Sequence, residues 1–407
     1  MVDFWVGRQP IFDGHVVVQA YELLYRQGQQ GLASPAQGDQ ATAETIVHSL
    51  LDLGLPSLTG GRRAYINFTR EMLVGGYVEL LPKDSVVVEV LETVAPDDAV
   101  VAVCSELQHA GYQLALDDFV PNDPREQALL PFCDQVKVDF VQAGEQDRAA
   151  IARRLGSSGH TLVAEKVESE QEFEWARDHG FSLHQGYFFA RPTAVQGRVI
   201  PPAKLSYLRI LNLLRQPVLD FEELERAVKS DVSLSHKLLR MLNSAGFGWR
   251  RRIESVRHAL VALGEEAVRK WLSLLCIASI AADRPQELVV QSLSRAWFLE
   301  QLGPCAGMGD RKTDLFFMGI VSLLAALLLR PLDEIVDQLT LAEDVERGLL
   351  GRDGRMGEAL ELARAFENAD WRAIPALCGD LAADPKTVAS LYVDAVREAT
   401  RILSTED

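Results

Sequence analysis

The segment 113–139, QLALDDFVPNDPREQALLPFCDQVKVD, decides the fold. It contains two short runs, Gln113-Leu114-Ala115-Leu116 and Val136-Lys137-Val138, and each stops at an acid: Asp117 with Asp118 after the first, Asp139 after the second. Apolar runs that are continuous rather than alternating belong to strands buried on both faces, the situation in a parallel sheet. The pattern repeats outward from here. Val86-Val87-Val88 stops at Glu89, Leu162-Val163-Ala164 stops at Glu165, and further stops fall at Glu22, Asn67 and Gln185. Polar groups at the C-terminal ends of many parallel strands converge on one rim, where a β/α barrel carries its chemistry. Carboxylates, amides and a lysine on that rim, with no histidine among them, predict hard oxygen ligation of Mg²⁺ or Mn²⁺. Taken singly, each of these residues reads as a solvated loop carboxylate or a salt-bridge partner. As a set they do not, because adjacent acids such as Asp117 and Asp118 repel one another unless a cation lies between them.

Strand-then-helix alternation runs from about Phe4 to Pro192, with helices predicted at Gln40 to Leu53, Ala99 to Ala110 and Gln171 to Gly180. The stretch from Arg191-Pro192-Thr193 to Pro201-Pro202 breaks both periods and marks a boundary, so the chain divides into residues 1–197 and 198–407. From Ala203 onward the apolar residues recur at three and four. Leu234, Leu238 and Met241 share one helix face, and Val256, Leu260 and Leu263 another. Ser233 and Ser255 are the expected N-caps, Gly246 and Gly264 the expected stops. The fold class is therefore α/β, a TIM-like β/α barrel, followed by an all-α domain.

At 407 residues and 48% apolar content the chain can bury two cores. Its 41 basic and 58 acidic residues leave a formal charge of −17, which disfavours non-specific attraction to nucleic acid polymers or to anionic membrane. A nucleotide ligand would need local compensation by metal ions or by particular Arg and Lys side chains. The five cysteines are scattered without a CxxC pair, the pattern of reduced cytosolic thiols rather than a zinc site. The N-terminus lacks a basic region followed by a long apolar one, and the most apolar stretch, Phe316 to Leu329, is too short to span a bilayer. A cytoplasmic protein is expected.

The motifs Glu22-Leu23-Leu24-Tyr25-Arg26, Asn67, Glu89-Val90-Leu91-Glu92, Leu116-Asp117-Asp118-Phe119, Lys137-Val138-Asp139, Ala164-Glu165-Lys166-Val167-Glu168 and Gln185-Gly186-Tyr187 stand in the order seen in one family. The segment resembles the EAL domains, modified TIM barrels that bind cyclic di-GMP and, when active, hydrolyse it to the linear dinucleotide. The resemblance implies a site. Glu22, Asn67, Glu89 and Asp117 would hold one Mg²⁺ or Mn²⁺, with Asp117 bridging and Asp118 helping to hold a second. Lys137 and Gln185 would orient water or phosphate, Glu165 would act as general base, Arg26 would meet a phosphate oxygen, and Leu24 and Glu22 would line the substrate side. Glu92 and Glu168 would support a loop over the metals. There are also departures. Where active members carry a glycine-led loop, this chain reads Val120-Pro121-Asn122-Asp123-Pro124-Arg125, and two prolines and a valine must send the loop along another path. Lys166 replaces a glycine, where it would pair with Glu165 or displace a metal. Leu23 replaces an alanine and Leu91 a threonine.

The second half carries its own resemblance. Asp231-Val232-Ser233-Leu234-Ser235-His236-Lys237-Leu238-Leu239-Arg240, then Asn243-Ser244-Ala245-Gly246-Phe247-Gly248, Ile253 to Gly264 and Phe316 to Ser322 are similar to HDOD domains. These are helical relatives of the HD phosphohydrolases that lack the metal-binding histidine and aspartate. None of the eight histidines is followed by aspartate. His236 and His258 therefore read as cap or surface residues, and the helical half as a module that docks a protein partner. Arg250-Arg251-Arg252 reads as an exposed loop, with a local anion or partner site as the other reading. The combination looks like the EAL–HDOD signalling proteins of bacteria. Two functions are expected: a cyclic di-GMP signalling protein with a divergent barrel and weak or absent hydrolysis, or a working metal-dependent cyclic di-GMP phosphodiesterase. Active EAL domains pair near the altered loop, so a homodimer by that route is an open question.

Overall fold

The computed structural model describes residues 4–27, 54–121, 123, 125–189, 201–243, 253–351 and 354–404. Eight strands close into a barrel in chain order: β1 (Phe4–Asp13), β2 (Val18–Gln27), β3 (Arg63–Phe68), β4 (Val86–Val90), β5 (Gln113–Leu116), β6 (Gln135–Asp139), β7 (Thr161–Glu165) and β8 (Leu183–Gln185). Strands β2 to β8 run parallel, as the continuous apolar runs require. Strand β1 differs. It lies antiparallel to both β2 and β8, because the short turn after Asp13 brings the chain straight back.

Side chains alternate between the lumen and the helix layer. Ile11, Ala20, Tyr65, Val87, Ala115 and Val163 form one small buried cluster in the lumen, with Leu183 against it. The intervening positions, among them Ile66, Val88, Leu114, Val136, Val138 and Leu162, form a second apolar cluster shared with the surrounding helices. One step of two residues along each strand leads from the lumenal cluster to the polar residues described below: Ala20 to Glu22, Tyr65 to Asn67, Val87 to Glu89, Ala115 to Asp117, Val163 to Glu165 and Leu183 to Gln185.

The predicted helix at Gln40–Leu53 lies outside the described residues. The other two are present at Asp98–Ala110 and Glu170–Asp178. The first is capped by the Asp97 carboxylate, which accepts from Val100 N, and ends at Gly111 with φ 90°. The second starts one residue before and stops two before the predicted bounds, because His179 N turns back to the carbonyls of Ala176 and Trp175.

The predicted boundary at Arg191–Pro202 lies mostly outside the described residues, as do Gly246 and the arginines 250–252. Every described element after it is helical. The helix Val232–Leu242 buries Leu234, Leu238 and Leu242, and its N-cap is Asp231, whose carboxylate accepts from Leu234 N, in place of the expected Ser233. Ser255 caps Val256–Leu263 as expected, and Gly264 ends it at φ 75°. The apolar stretch 316–329 belongs to two buried helices, Lys312–Val321 and Leu324–Leu328. Among the described residues no helix is long and apolar enough to cross a membrane.

The contacts do not divide the chain at a single point. Leu362–Gly379 and the segment from Ala383 onward belong to the same compact unit as the barrel, and the other unit spans Pro192–Glu361 with Asp380–Ala382. The reason is packing. The helix Pro385–Ser404 sets Val393 into the apolar layer around the barrel. Arg8 of β1, itself buried, donates to Leu58 O at 2.6 Å and to Thr400 Oγ1 at 3.1 Å.

Candidate active site

The lumenal step of two residues brings a polar side chain from all eight strands to one layer at the C-terminal mouth of β2–β8. Glu22 is the hub on one side. Its Oε1 accepts from Asn67 Nδ2 at 2.9 Å, and its Oε2 accepts from Gln185 Nε2 at 2.6 Å. Gln185 Nε2 also reaches Gln9 Oε1 at 2.9 Å. On the other side stands Lys137, fully buried, with its Nζ 2.5 Å from Glu89 Oε1, 2.7 Å from Glu165 Oε1, 3.0 Å from Asp117 Oδ1 and 3.5 Å from Glu22 Oε2.

Four carboxylates around one ammonium leave a formal excess of three negative charges in a largely buried layer. Such an excess is costly unless protons or a further cation offset it. The side chains register this. Burial, helped by the charge of Glu22 and against the pull of Lys137, drives Glu89 well above the carboxylate range. Burial also raises Glu165 to about 8; Lys137 opposes the rise, and Asp117 and Glu22 add to it. Burial opposes the charge on Lys137, yet Asp117, Glu165, Glu22 and Glu89 outweigh it and hold the ammonium firmly protonated.

Four buried oxygens of this layer, Asn67 Oδ1, both Glu89 oxygens and Gln185 Oε1, accept no hydrogen bond. Glu89 Oε1 is near Lys137 Nζ but off the hydrogen-bonding direction. Carboxylate and amide oxygens left open in this way are ligands for a hard divalent cation. The residues therefore fit a hard divalent cation. Beside them, oxygens of Glu92, Asp117 and Asp118 lie within 4.8 Å of one another. Asp118 turns out of the strand at φ 44°, and burial with the charge of Asp117 raises it to about 6 although Lys166 opposes.

Not every residue read from the sequence joins this layer. Glu168 is exposed, and its backbone N–H donates to Glu172 Oε2 at 2.9 Å. Leu24 is half-buried in β2 opposite Gly7, and the side chain of Arg26 lies outside the described residues. Lys166 neither pairs directly with Glu165 nor enters the layer. Its φ of 53° swings the ammonium onto Asp139 Oδ2. Burial works against the charge on Asp139, but Lys166 and the amides of Gln142 and Val141 outweigh it and keep the carboxyl below its usual range. Gln9 and Arg125 were not legible. Gln9 sits on the antiparallel strand with no acidic stop to mark it, and Arg125 is one arginine in a loop that gave no pattern, though it is only 1% exposed.

In the helical half, His236 and His258 are exposed on helix faces. Gly319 packs so closely on the helix Gln286–Cys305 that a Cβ would lie 2.5 Å from Ala296 Cα. Ser322 accepts from Arg295 Nη1 at 2.7 Å and donates to Gly319 O at 2.7 Å.

The model of the EAL domain matches residues 73–192 and that of the HDOD domain matches residues 200–347. A Vibrio cholerae protein named cyclic di-GMP phosphodiesterase CdgJ is 36% identical over 98% of this chain and 92% of its own length. The chain belongs to the EAL–HDOD family. A second relative, the Bacillus subtilis protein YuxH, is 32% identical over 96% of this EAL–HDOD chain and 97% of its own length. Among solved structures, Klebsiella pneumoniae BlrP1 in its calcium and cyclic di-GMP complex is 26% identical, over 46% of this chain and 55% of that one, with a TM-score of 0.39. The EAL domain of Mycobacterium smegmatis DcpA is 24% identical, over 45% of this chain and 90% of that one, with a TM-score of 0.36. The EAL–HDOD chain thus spans little more than half of BlrP1 but nearly all of CdgJ and YuxH.

Proposed function

We propose that this EAL–HDOD protein is a divalent-metal-dependent cyclic di-GMP phosphodiesterase whose helical domain docks a protein partner. One observation carries the reading: the strands deliver a connected layer of acids, amides and a lysine to one mouth, where buried oxygens of Asn67, Glu89 and Gln185 remain without donors. The relative named as a phosphodiesterase supports the substrate. Glu22, Asn67, Glu89 and Asp117 would hold the cation, with Asp118 toward a second. When bound, such ions lower the pKa of water and offset charge on a phosphoryl oxygen. Lys137 adds fixed positive charge at the same place. Glu165, held 2.7 Å from the Lys137 ammonium, would be the carboxylate that takes a proton once a bound cation and Lys137 together favour its charged form. Gln185, tied to Glu22 and Gln9, is placed to orient water or phosphate. In the helical domain no histidine is followed by aspartate in the sequence, and Gly319 and Ser322 are engaged in packing and hydrogen bonding, which supports a docking role over a catalytic one.

A second reading, a cyclic di-GMP sensor without turnover, is favoured by Lys137 already sitting among the carboxylates and by Lys166 on the rim beside Asp139. The two separate in one assay. With Mn²⁺ or Mg²⁺ the full chain should release the linear dinucleotide, and Glu22→Ala should abolish that release. Binding of cyclic di-GMP by titration without any product would favour the sensor. Neither binding nor product would defeat both readings.

A further inference from the structure

We propose that Arg125 is a positioning residue of the barrel mouth, clipping the C-terminal ends of β4 and β5 together and so setting Glu89 and Asp117 relative to each other. The paired register of these strands ends at Val90 with Leu116, so Asp117 lies one residue beyond the ladder. Lys137 holds its carboxylate, and its backbone is held by Asp117 N on Val90 O at 3.1 Å and by the guanidinium of Arg125. Nη1 donates to Val90 O at 3.1 Å, and Nη2 donates to Asp117 O at 2.7 Å. The first carbonyl belongs to the residue after Glu89 and the second to Asp117 itself. Fixing the Asp117 carbonyl also fixes the peptide plane from which Asp118 turns at φ 44°.

A guanidinium that is 1% exposed needs its own counter-charge. Asp123 supplies it, with Nε at 3.0 Å from Oδ1 and Nη2 at 2.7 Å from Oδ2, and its Oδ1 also accepts from Arg125 N at 2.8 Å. The pair is neutral in itself, so it orders the acids of the mouth without competing for a cation there. The planar fork is what lets one side chain hold a carboxylate and two strand ends together, a geometry a lysine cannot reproduce.

The geometric claim stands apart from the proposed function, but its consequence for metal binding rests on that reading. Arg125→Met with Asp123→Leu, made together in the full chain, removes the clip without leaving a buried charge unpaired, and Arg125→Lys keeps the charge but not the fork. In metal-free protein, amide hydrogen exchange at Asp117 and Phe119 should quicken about tenfold or more while Val163 in β7 is unchanged, and Mn²⁺ titration should show binding weakened by about tenfold. Wild-type exchange at Asp117 overturns the proposal, as does a uniform rise across the barrel, which would mark a merely structural anchor. If the double variant fails to fold, Arg125→Lys decides by the same two measurements. If the unaltered protein takes up no Mn²⁺, the functional reading fails, and exchange alone judges the clip.

Discussion

His184 and Gln185 are neighbours on β8 with opposite fates. Gln185 faces the lumen and the mouth, whereas His184 faces the helix layer, fully buried with its ring edge-to-face on Phe173 at 4.6 Å and neither nitrogen bonded. Burial pushes its pKa down to about 4; Arg177 adds to the fall, and Asp13 opposes it. Because the folded value lies below the ordinary 6.5, the unfolded chain takes up a proton between pH 6.5 and 4 that the folded protein refuses. Stability from this group is complete above pH 6.5 and is lost as the pH falls toward 4, up to about 3 kcal/mol. Denaturant unfolding of wild type and His184→Phe at pH 7.5 and 5 should show the variant gaining relative to wild type at the lower pH. An equal difference at both would refute the assignment. The histidine was visible in the sequence, but its surroundings were not, since nothing local shows that Phe173 and β8 meet.

At the scale of the strand, the period of two does most to build the site. Continuous apolar runs identified β4 to β7 in the sequence because both faces of each strand are covered. On β4, β5 and β7 the acid that closes the run was legible as a rim residue for the same reason, being the first lumenal position beyond the lumenal cluster; on β6 the layer residue is Lys137 within the run, and the closing Asp139 pairs with Lys166 instead. Strand β1 was harder to read, because an antiparallel strand brings its lumenal glutamine in from the opposite direction. The lumenal cluster is narrow, and Ala115 is fully buried between larger neighbours. Ala115→Leu should therefore cost about 1–3 kcal/mol through overpacking, measured by urea unfolding, and should disturb Asp117 two residues on. An unchanged midpoint would mean that the lumen has room that the packing does not suggest.

At the scale of the whole molecule, the barrel is completed by residues nearly two hundred positions downstream. Gly7 lets the chain near Phe366 and Trp371 come against β1, where a Cβ would meet Phe366 O at 3.0 Å. Tyr187, two residues beyond Gln185, donates its hydroxyl to Glu367 O at 2.7 Å. In the helix Pro385–Ser404, Tyr392 stacks on Phe366, and Val393 enters the layer around the barrel. Removing residues 384–407 exposes several such side chains, each worth about 1.5–3 kcal/mol when buried. Truncated protein should lose at least about 5 kcal/mol of barrel stability. In calorimetry it should melt well below the full chain or fail to accumulate as folded protein, and an unshifted transition would show the C-terminal helix to be dispensable.

Taken alone, the amino-acid order determined which runs are strands, that their ends are acidic, that the second half is helical, and that the family is EAL followed by HDOD. Strand and helix depend on neighbours two, three or four positions apart, and a linear chain records such spacing directly, whereas the family was legible only as a resemblance carried by whole motifs in order. Tertiary structure decided that Lys137 sits at the centre of four carboxylates, that Lys166 pairs with Asp139, that Arg125 binds two strand ends, and that the C-terminal helix packs with the barrel. Each of those depends on packing between segments distant in the chain, as far as Arg8 and Thr400, 392 residues apart, and no local period encodes such a meeting.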